Sequence, residues 1–479
     1  MLQTTEYLNL PLLNGIQGNI LKSHGRHHTV NLFIIGDENQ QDLVKAWVKS
    51  LTQGPNPIIR SCADQLASNL SWKNEKKDSG MFACLHISAA GYRYLFGDKG
   101  ADRFEEEVFK AGMSKSRLND PPLENWEEGF LESPHFMLLL AHVSEDKIRA
   151  QAVEIQKSIM FFTKVATVEK GHALFNKMGA GIEHFGYVDG ISQPLFFEDE
   201  WELYKRDNQI HSENDIKFDP RAKPDLVLLK DPFIDDESAM GSYFVFRKLE
   251  QNVRAFKEAE EVLASQLGLL GEEKERAGAM LVGRFEDGTP VEEKGEAGLP
   301  NNAQFNNFSY THGEARCPFH AHIRKTNPRS DAIEGIQDFR DHRMARRGIP
   351  FGIRHDDPGD GRIDNKPEFG VGLLFMSYQA SLAKQFETIQ KSWANDFNKP
   401  FAGSGIDLII GQGGQKYPVK WQKSNANALM KSASFGQYVQ MKGGEYFFAP
   451  SMRFLEEIDE LNIEALPHQA KTSSERDTL

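Results

Sequence analysis

The sequence predicts an α+β fold, a helix-covered antiparallel sheet built twice, on three observations. Short apolar runs of β type alternate with stretches of helical period. The same order of elements recurs in both halves of the 479-residue chain without a shared sequence. Between the halves, residues 198–240 (EDEWELYKRDNQ through DPRAKPD to DPFIDD) are charged, Pro-containing and weakly periodic, as a connection or surface insertion is. Such units bury one face of each sheet under helices.

A turn-rich start, GIQGNIL at 15–21, leads to the first strand, 29–35 (TVNLFII), bounded by Gly36 and Asp37. Over 40–53, Leu43, Val44, Trp47, Val48 and Leu51 recur at helical spacing until Gly54-Pro55-Asn56-Pro57 stops the run. Residues 81–87 form a second strand entering a short helix through Tyr94, and 136–142 form a third. A helix over 144–157 follows, capped by Ser144 with Glu145 and Asp146 in its first turn, and 161–168 is the fourth strand. In the second half, strand 242–246 enters the charged helix 252–267, the apolar run 370–378 feeds the helix 380–393, and strand 444–448 precedes a helix over 451–461. The expected division is an N-terminal domain at 1–200, a connection at 201–240, a C-terminal domain at 241–466 and a mobile polar tail at 467–479.

Hydrophobic residues at 39% and charged residues at 26% fit a globular chain. With 69 acidic against 56 basic residues and a net charge of −13, nucleic acid is not an expected partner, because a phosphate backbone calls for a cationic face. The densest apolar run, HFMLLLAHV at 135–143, is far below the ~20 residues that cross a bilayer, so no membrane partner is expected. The N-terminus MLQTTEYLNLPLLNG lacks a basic leader with an apolar core, and the three cysteines, Cys62, Cys84 and Cys317, fit a reducing compartment. A cytoplasmic location is therefore expected.

Three segments carry candidate chemistry. In EHFGYVDGISQP (183–194), Gly186 and Gly190 allow a tight turn and close approach to a planar ligand, so that Asp189 projects from a rigid loop; an ordinary Asp-Gly turn is the plainer reading. In CPFHAHIRKTNPR (317–329), His320 and His322 lie two apart and on a strand would share a face, leaving room for only one as an axial iron ligand. A structural histidine is the commoner outcome, and Cys317-Pro318 offers a rival thiolate ligand. In HRMARRGIPFG (342–352), Arg343, Arg346 and Arg347 form either a solvated patch or a site for an anion.

In this order the segments resemble the dye-decolorizing peroxidase family. GYVDG is similar to its GxxDG signature, CPFHAHIR to its proximal-histidine region and MARRGIPFG to its distal-arginine strand. GIQGNILKSHGR, GLLFMSYQASLAKQFETIQKSWAN and GIDLIIGQ resemble the longer members, so the likeness runs through most of the chain. The resemblance implies two ferredoxin-like domains with antiparallel sheets, and one haem b bound mainly by the second. It implies Asp189 as distal acid/base, His322 as the axial iron ligand, and Arg346, four before Pro350, as the distal arginine with Arg347 the nearest wrong choice. It also implies Arg329 at a haem propionate, Leu373 and Phe375 lining the distal cavity, Asp407 orienting His322, and Trp393 as a surface oxidation site. By the same resemblance, relatives usually carry a small residue where this chain has His320. The expected partners are hydrogen peroxide and an aromatic or dye-like reducing substrate. A haem carrier or sensor without turnover, and a haem-modifying enzyme, are the competing functions.

Overall fold

Strand β1 (His28–Gly36) is buried from Thr29 onward on both faces, which is why its apolar residues do not alternate with exposed polar ones and its buried Asn31 donates to the Glu169 carbonyl. The structure, a computed structural model, describes residues 1–2, 10–75, 78–298, 305–314, 316–329, 331, 338–357, 361–412, 417–421 and 431–464. The tail expected at 467–479 lies outside them. After β1 come α1 (Gln41–Ser50), β2 (Phe82–Ser88), β3 (Phe136–His142), α2 (Glu145–Ile159) and β4 (Thr163–His172). Ser144 caps α2 by accepting the Lys147 amide. The strands pair antiparallel in the order β2-β3-β1-β4, a βαββαβ unit of ferredoxin-like type.

The second half repeats the plan. It runs β5 (Met240–Gln251), α3 (Val253–Leu267), the short helix α4 (His322–Thr326), β6 (Ile349–Phe351), β7 (Gly372–Gln379), the π-wound helix α5 (Leu382–Ala394) and β8 (Val439–Ala449). Its order is β8-β5-β7-β6, the same arrangement again.

The two sheets then meet at both edges. β8 pairs with β2 through Phe447–Ser88 and Phe448–Ile87, and β6 pairs with β4 through Phe351–Gly171. Eight of the ten strands in the sheet therefore form a closed ring. Its interior is aromatic: Phe33 meets Phe246 at 4.7 Å and Phe447 at 6.3 Å between ring centres. The GIQGNIL segment binds across this ring. Gln17 donates to the carbonyls of Leu85 and Pro450 and accepts the Leu85 amide.

Three local expectations change. The CPFHAHIR segment is not a strand: Pro318–His320 make a turn and α4 begins at His322, so two-residue alternation does not apply. The stretch 198–240 contains a ten-residue helix, Glu198–Asp207, with three acidic residues in its first turn where they favour the helix dipole. The late helix ends at Glu457 rather than at 461.

Candidate active site

The outer face of β5 and β7 forms the floor of a cavity of about 270 Å³. Odd-numbered Arg247, Leu249 and Gln251 of β5 and Leu373 and Phe375 of β7 point into it, as strand alternation requires. Phe386, Ile389 and Gln390 of α5 close one side. The glycine loop, α4 and the Arg343–Gly348 segment complete the walls.

Asp189 and Gly190 stand on one wall, and Gly190 has φ 78°, a left-handed conformation that favours glycine. The Asp189 carboxylate is partly exposed to the cavity and its Oδ1 lies 3.8 Å from the Arg346 guanidinium. Arg346 is held from behind: its side chain donates to the Ile191 carbonyl at 2.6 Å, and Gln193 accepts its backbone amide and donates to its carbonyl. Its neighbour Arg347 turns to the other side of the sheet and donates to the carbonyls of Asn19 and Ile20. Arg343 is tied to the Asp219 and Arg221 carbonyls.

His322 stands on another wall of the same cavity. Its Nδ1 is 2.8 Å from Asp407 Oδ2, and among the described residues Nε2 has no hydrogen-bond partner. Burial disfavours the imidazolium, but the charge and hydrogen bond of Asp407 outweigh it and hold the His322 pKa above the usual value. Burial likewise opposes a charged Asp407, yet His322 and the amides of Ile410 and Ile409 bring its carboxyl below the usual range. His320 is buried outside the cavity lining, where burial and Lys325 lower its pKa to about 3. Cys317 lies in a separate small cluster with Phe308, Tyr310 and Ala321, and burial raises its thiol to about 12. Burial therefore favours the thiol form over the thiolate.

Arg329 also lines the cavity and donates to the Asn306 and Phe308 carbonyls, while its Nε is buried without a hydrogen bond. Arg284, which sequence reasoning missed, joins it at the Asn306 side chain. Among the described residues neither guanidinium has a carboxylate partner, and burial, then mutual repulsion with Arg329, lowers Arg284 to about 9. Both guanidinium groups are held by carbonyl oxygens and by the Phe308 ring, with no negative charge beside them among the described residues. Arg284 lies outside the quoted motifs, so only three-dimensional proximity finds it. Gln193 lies inside one, but nothing in its residue type announces a clamp on a strand 153 positions away.

Trp393 requires a correction. It is 3% exposed, with its ring 5.2 Å from His342 in an edge-on contact, so it does not present a surface to a bulky molecule. Among the described residues there is no group of three or more His, Cys, Asp or Glu side chains able to hold a metal ion by themselves, and no helix is long and apolar enough to cross a membrane.

The family model described as Dyp-type peroxidase, C-terminal, matches residues 218–403. The multifunctional dye peroxidase DyP2 of Amycolatopsis sp. is 41% identical over 457 residues, covering 93% of this chain and 95% of the relative. The crystal structure of the Anabaena sp. DyP-type peroxidase superposes with a TM-score of 0.85 at 35% identity, over 93% of this chain and 94% of that one. The Amycolatopsis DyP2 structure gives 0.85 at 38% identity, over 93% and 96%. With both halves of the fold, the cavity between sheet and helices and near-complete alignment in agreement, the chain belongs to the dye-decolorizing peroxidase family of haem-dependent, peroxide-consuming oxidoreductases.

Proposed function

We propose that this chain holds one haem b, reduces hydrogen peroxide and oxidises dyes and phenolics in one-electron steps, with Asp189 as acid/base, Arg346 as charge stabiliser and His322 as axial ligand. The observation that carries the reading is the shared cavity: a carboxylate–guanidinium pair and an imidazole–carboxylate pair stand on its walls together. The residues fit the group. The single cavity-facing imidazole of His322 would hold the iron, and Arg329 and Arg284, which have no carboxylate partner among the described residues, would hold the propionates. Leu373, Phe375 and Phe386 offer it an apolar bed.

Haem, when bound, would supply the redox chemistry that takes electrons from a reducing substrate and passes them to peroxide. Asp189, ionised, accepts a proton from the peroxide and returns it to the oxygen that leaves as water, directly or through one water molecule. Arg346 stabilises the negative charge that grows as the O–O bond breaks, and it needs no reorganisation because Ile191 and Gln193 already aim it. Asp407 fixes the His322 proton on Nδ1, frees Nε2 for the metal and makes the ring more electron-donating. The domain division at 1–200 and 241–466 is part of the same proposal.

The test is stopped-flow mixing of the haem-loaded protein with peroxide, followed in the Soret band. Asp189→Asn is expected to slow the peroxide step by roughly 10²–10⁴-fold and Arg346→Leu by at least about 10²–10³-fold. Wild-type rates in both variants would sink the assignment.

A further inference from the structure

The sheet that floors the cavity carries a closed polar array on its other face. Along β7, Leu373 and Phe375 line the cavity, whereas Leu374, Met376 and Tyr378 are fully buried on the opposite side. Tyr378 Oη lies 2.8 Å from His86 Nε2. The other nitrogen, His86 Nδ1, is 3.3 Å from the Met137 carbonyl. A carbonyl only accepts, so Nδ1 carries the ring proton and Nε2 presents its lone pair to the phenol. Phe244 stacks on the imidazole at 4.0 Å and 24°, which holds the ring plane. Tyr378 pairs across the ladder with Ala345, whose neighbours Met344 and Arg346 stand on the cavity wall. One layer of sheet therefore separates the phenol from the cavity.

We propose that Tyr378 and His86 form an internal redox relay that takes up oxidising equivalents when no reducing substrate is present. The relay rests on the peroxidase reading, because peroxide supplies the oxidant. In the step, Tyr378 loses one electron to the oxidised cofactor, which is reduced by one electron. The Oη–H bond breaks and an N–H bond forms at His86 Nε2, leaving a neutral phenoxyl radical beside an imidazolium. An electron from a reducing substrate and the proton from His86 restore both residues. Burial raises the phenol pKa well above its usual value and lowers His86 to about 3. Tyr378 therefore keeps its proton at rest, yet an oxidised phenol is acidic enough to protonate even this weak base. The same burial, with the Arg347 charge nearby, makes the pair hard to oxidise. It fills only after faster electron donors are exhausted.

The test uses haem-loaded, full-length protein mixed with one equivalent of peroxide without substrate, freeze-quenched for electron paramagnetic resonance and followed optically in parallel. The expected result is a tyrosyl-type radical whose yield falls at least twofold in Tyr378→Phe, with a longer-lived oxidised optical spectrum. In His86→Gln, which keeps a polar group against the phenol but removes the base, the yield falls or the g1 value shifts, so the outcome does not depend on the folding of the tyrosine variant. Unchanged yield and g1 in the folded variants overturn the relay and leave the peroxidase reading standing. No optical change on adding peroxide to wild type overturns both.

Discussion

An imidazole serves as an axial ligand only when one nitrogen is fixed by a partner and the other faces the metal. His322 has Nδ1 fixed by Asp407 and lines the cavity, which is what the proposed ligand role asks of it. His320 lies two residues away on the turn that precedes α4, and its burial outside the lining separates the two histidines in a way that strand geometry cannot. His322→Ala is expected to lose most bound haem, whereas His320→Ala retains it, read as the Soret-to-280 nm absorbance ratio after reconstitution. Retention in His322→Ala with loss in His320→Ala would reverse the assignment. Much of the site was legible in residue types: the aspartate, arginine, histidine and Leu-x-Phe pair named from the motifs all line one cavity. Exposure was not legible, because a tryptophan ending an amphipathic helix has the same sequence signature whether its ring faces out or, as Trp393 does, packs under His342.

At the scale of elements, the loop carrying Asp189 is shaped by a carboxyl group inside its own turn. Glu183 accepts the amides of Phe185 at 2.8 Å and Tyr187 at 3.0 Å, and the Gln251 side chain at 2.5 Å. Burial pushes Glu183 up to about 7 from 4.5, although these donors favour its charged form. A folded-state pKa above the unfolded one means that the native protein binds the extra proton. Stability is therefore greatest below about pH 4.5, falls as pH rises toward 7 and levels off above it. Because Glu183 partly faces the cavity, the effect is on the order of 2 kcal/mol, less than the full shift implies. Glu183→Gln should remove that component of the slope, as measured by urea denaturation at intervals from pH 4.5 to 7.5. An identical slope in wild type and variant would refute it. The elements themselves were readable where apolar period and caps agreed, as in the helices led by Ser144 and Asn252. Short segments were not: over five residues, α4 offers too little periodicity to distinguish helix from strand.

For the whole molecule, the decisive feature is closure. Each βαββαβ unit was visible as a repeated order of strands and helices, but the pairings that join them link residues far apart in sequence, Ser88 with Phe447 and Gly171 with Phe351. No local pattern encodes which edges meet. Closure makes the two halves share one continuous core, since Phe33 of one packs on Phe246 and Phe447 of the other, and Gln17 bridges Leu85 with Pro450. The two units should therefore unfold together, in contrast to ordinary domain pairs that melt separately. Gly171 sits at the narrower seam, where an added Cβ would come within 2.3 Å of Ile349 Cγ2 and 2.5 Å of Thr29 Oγ1. Gly171→Val forces those side chains apart and is expected to cost roughly 1–3 kcal/mol by overpacking. Calorimetry should show one transition in wild type and one, at lower temperature, in the variant. Two resolved transitions in wild type would mean that the halves are energetically separate and that the seams contribute little to stability. A single transition that keeps its ratio of calorimetric to van't Hoff enthalpy while moving down shows that a strain placed at one seam is felt by both units, which is the behaviour expected of a ring whose two sheets enclose one core.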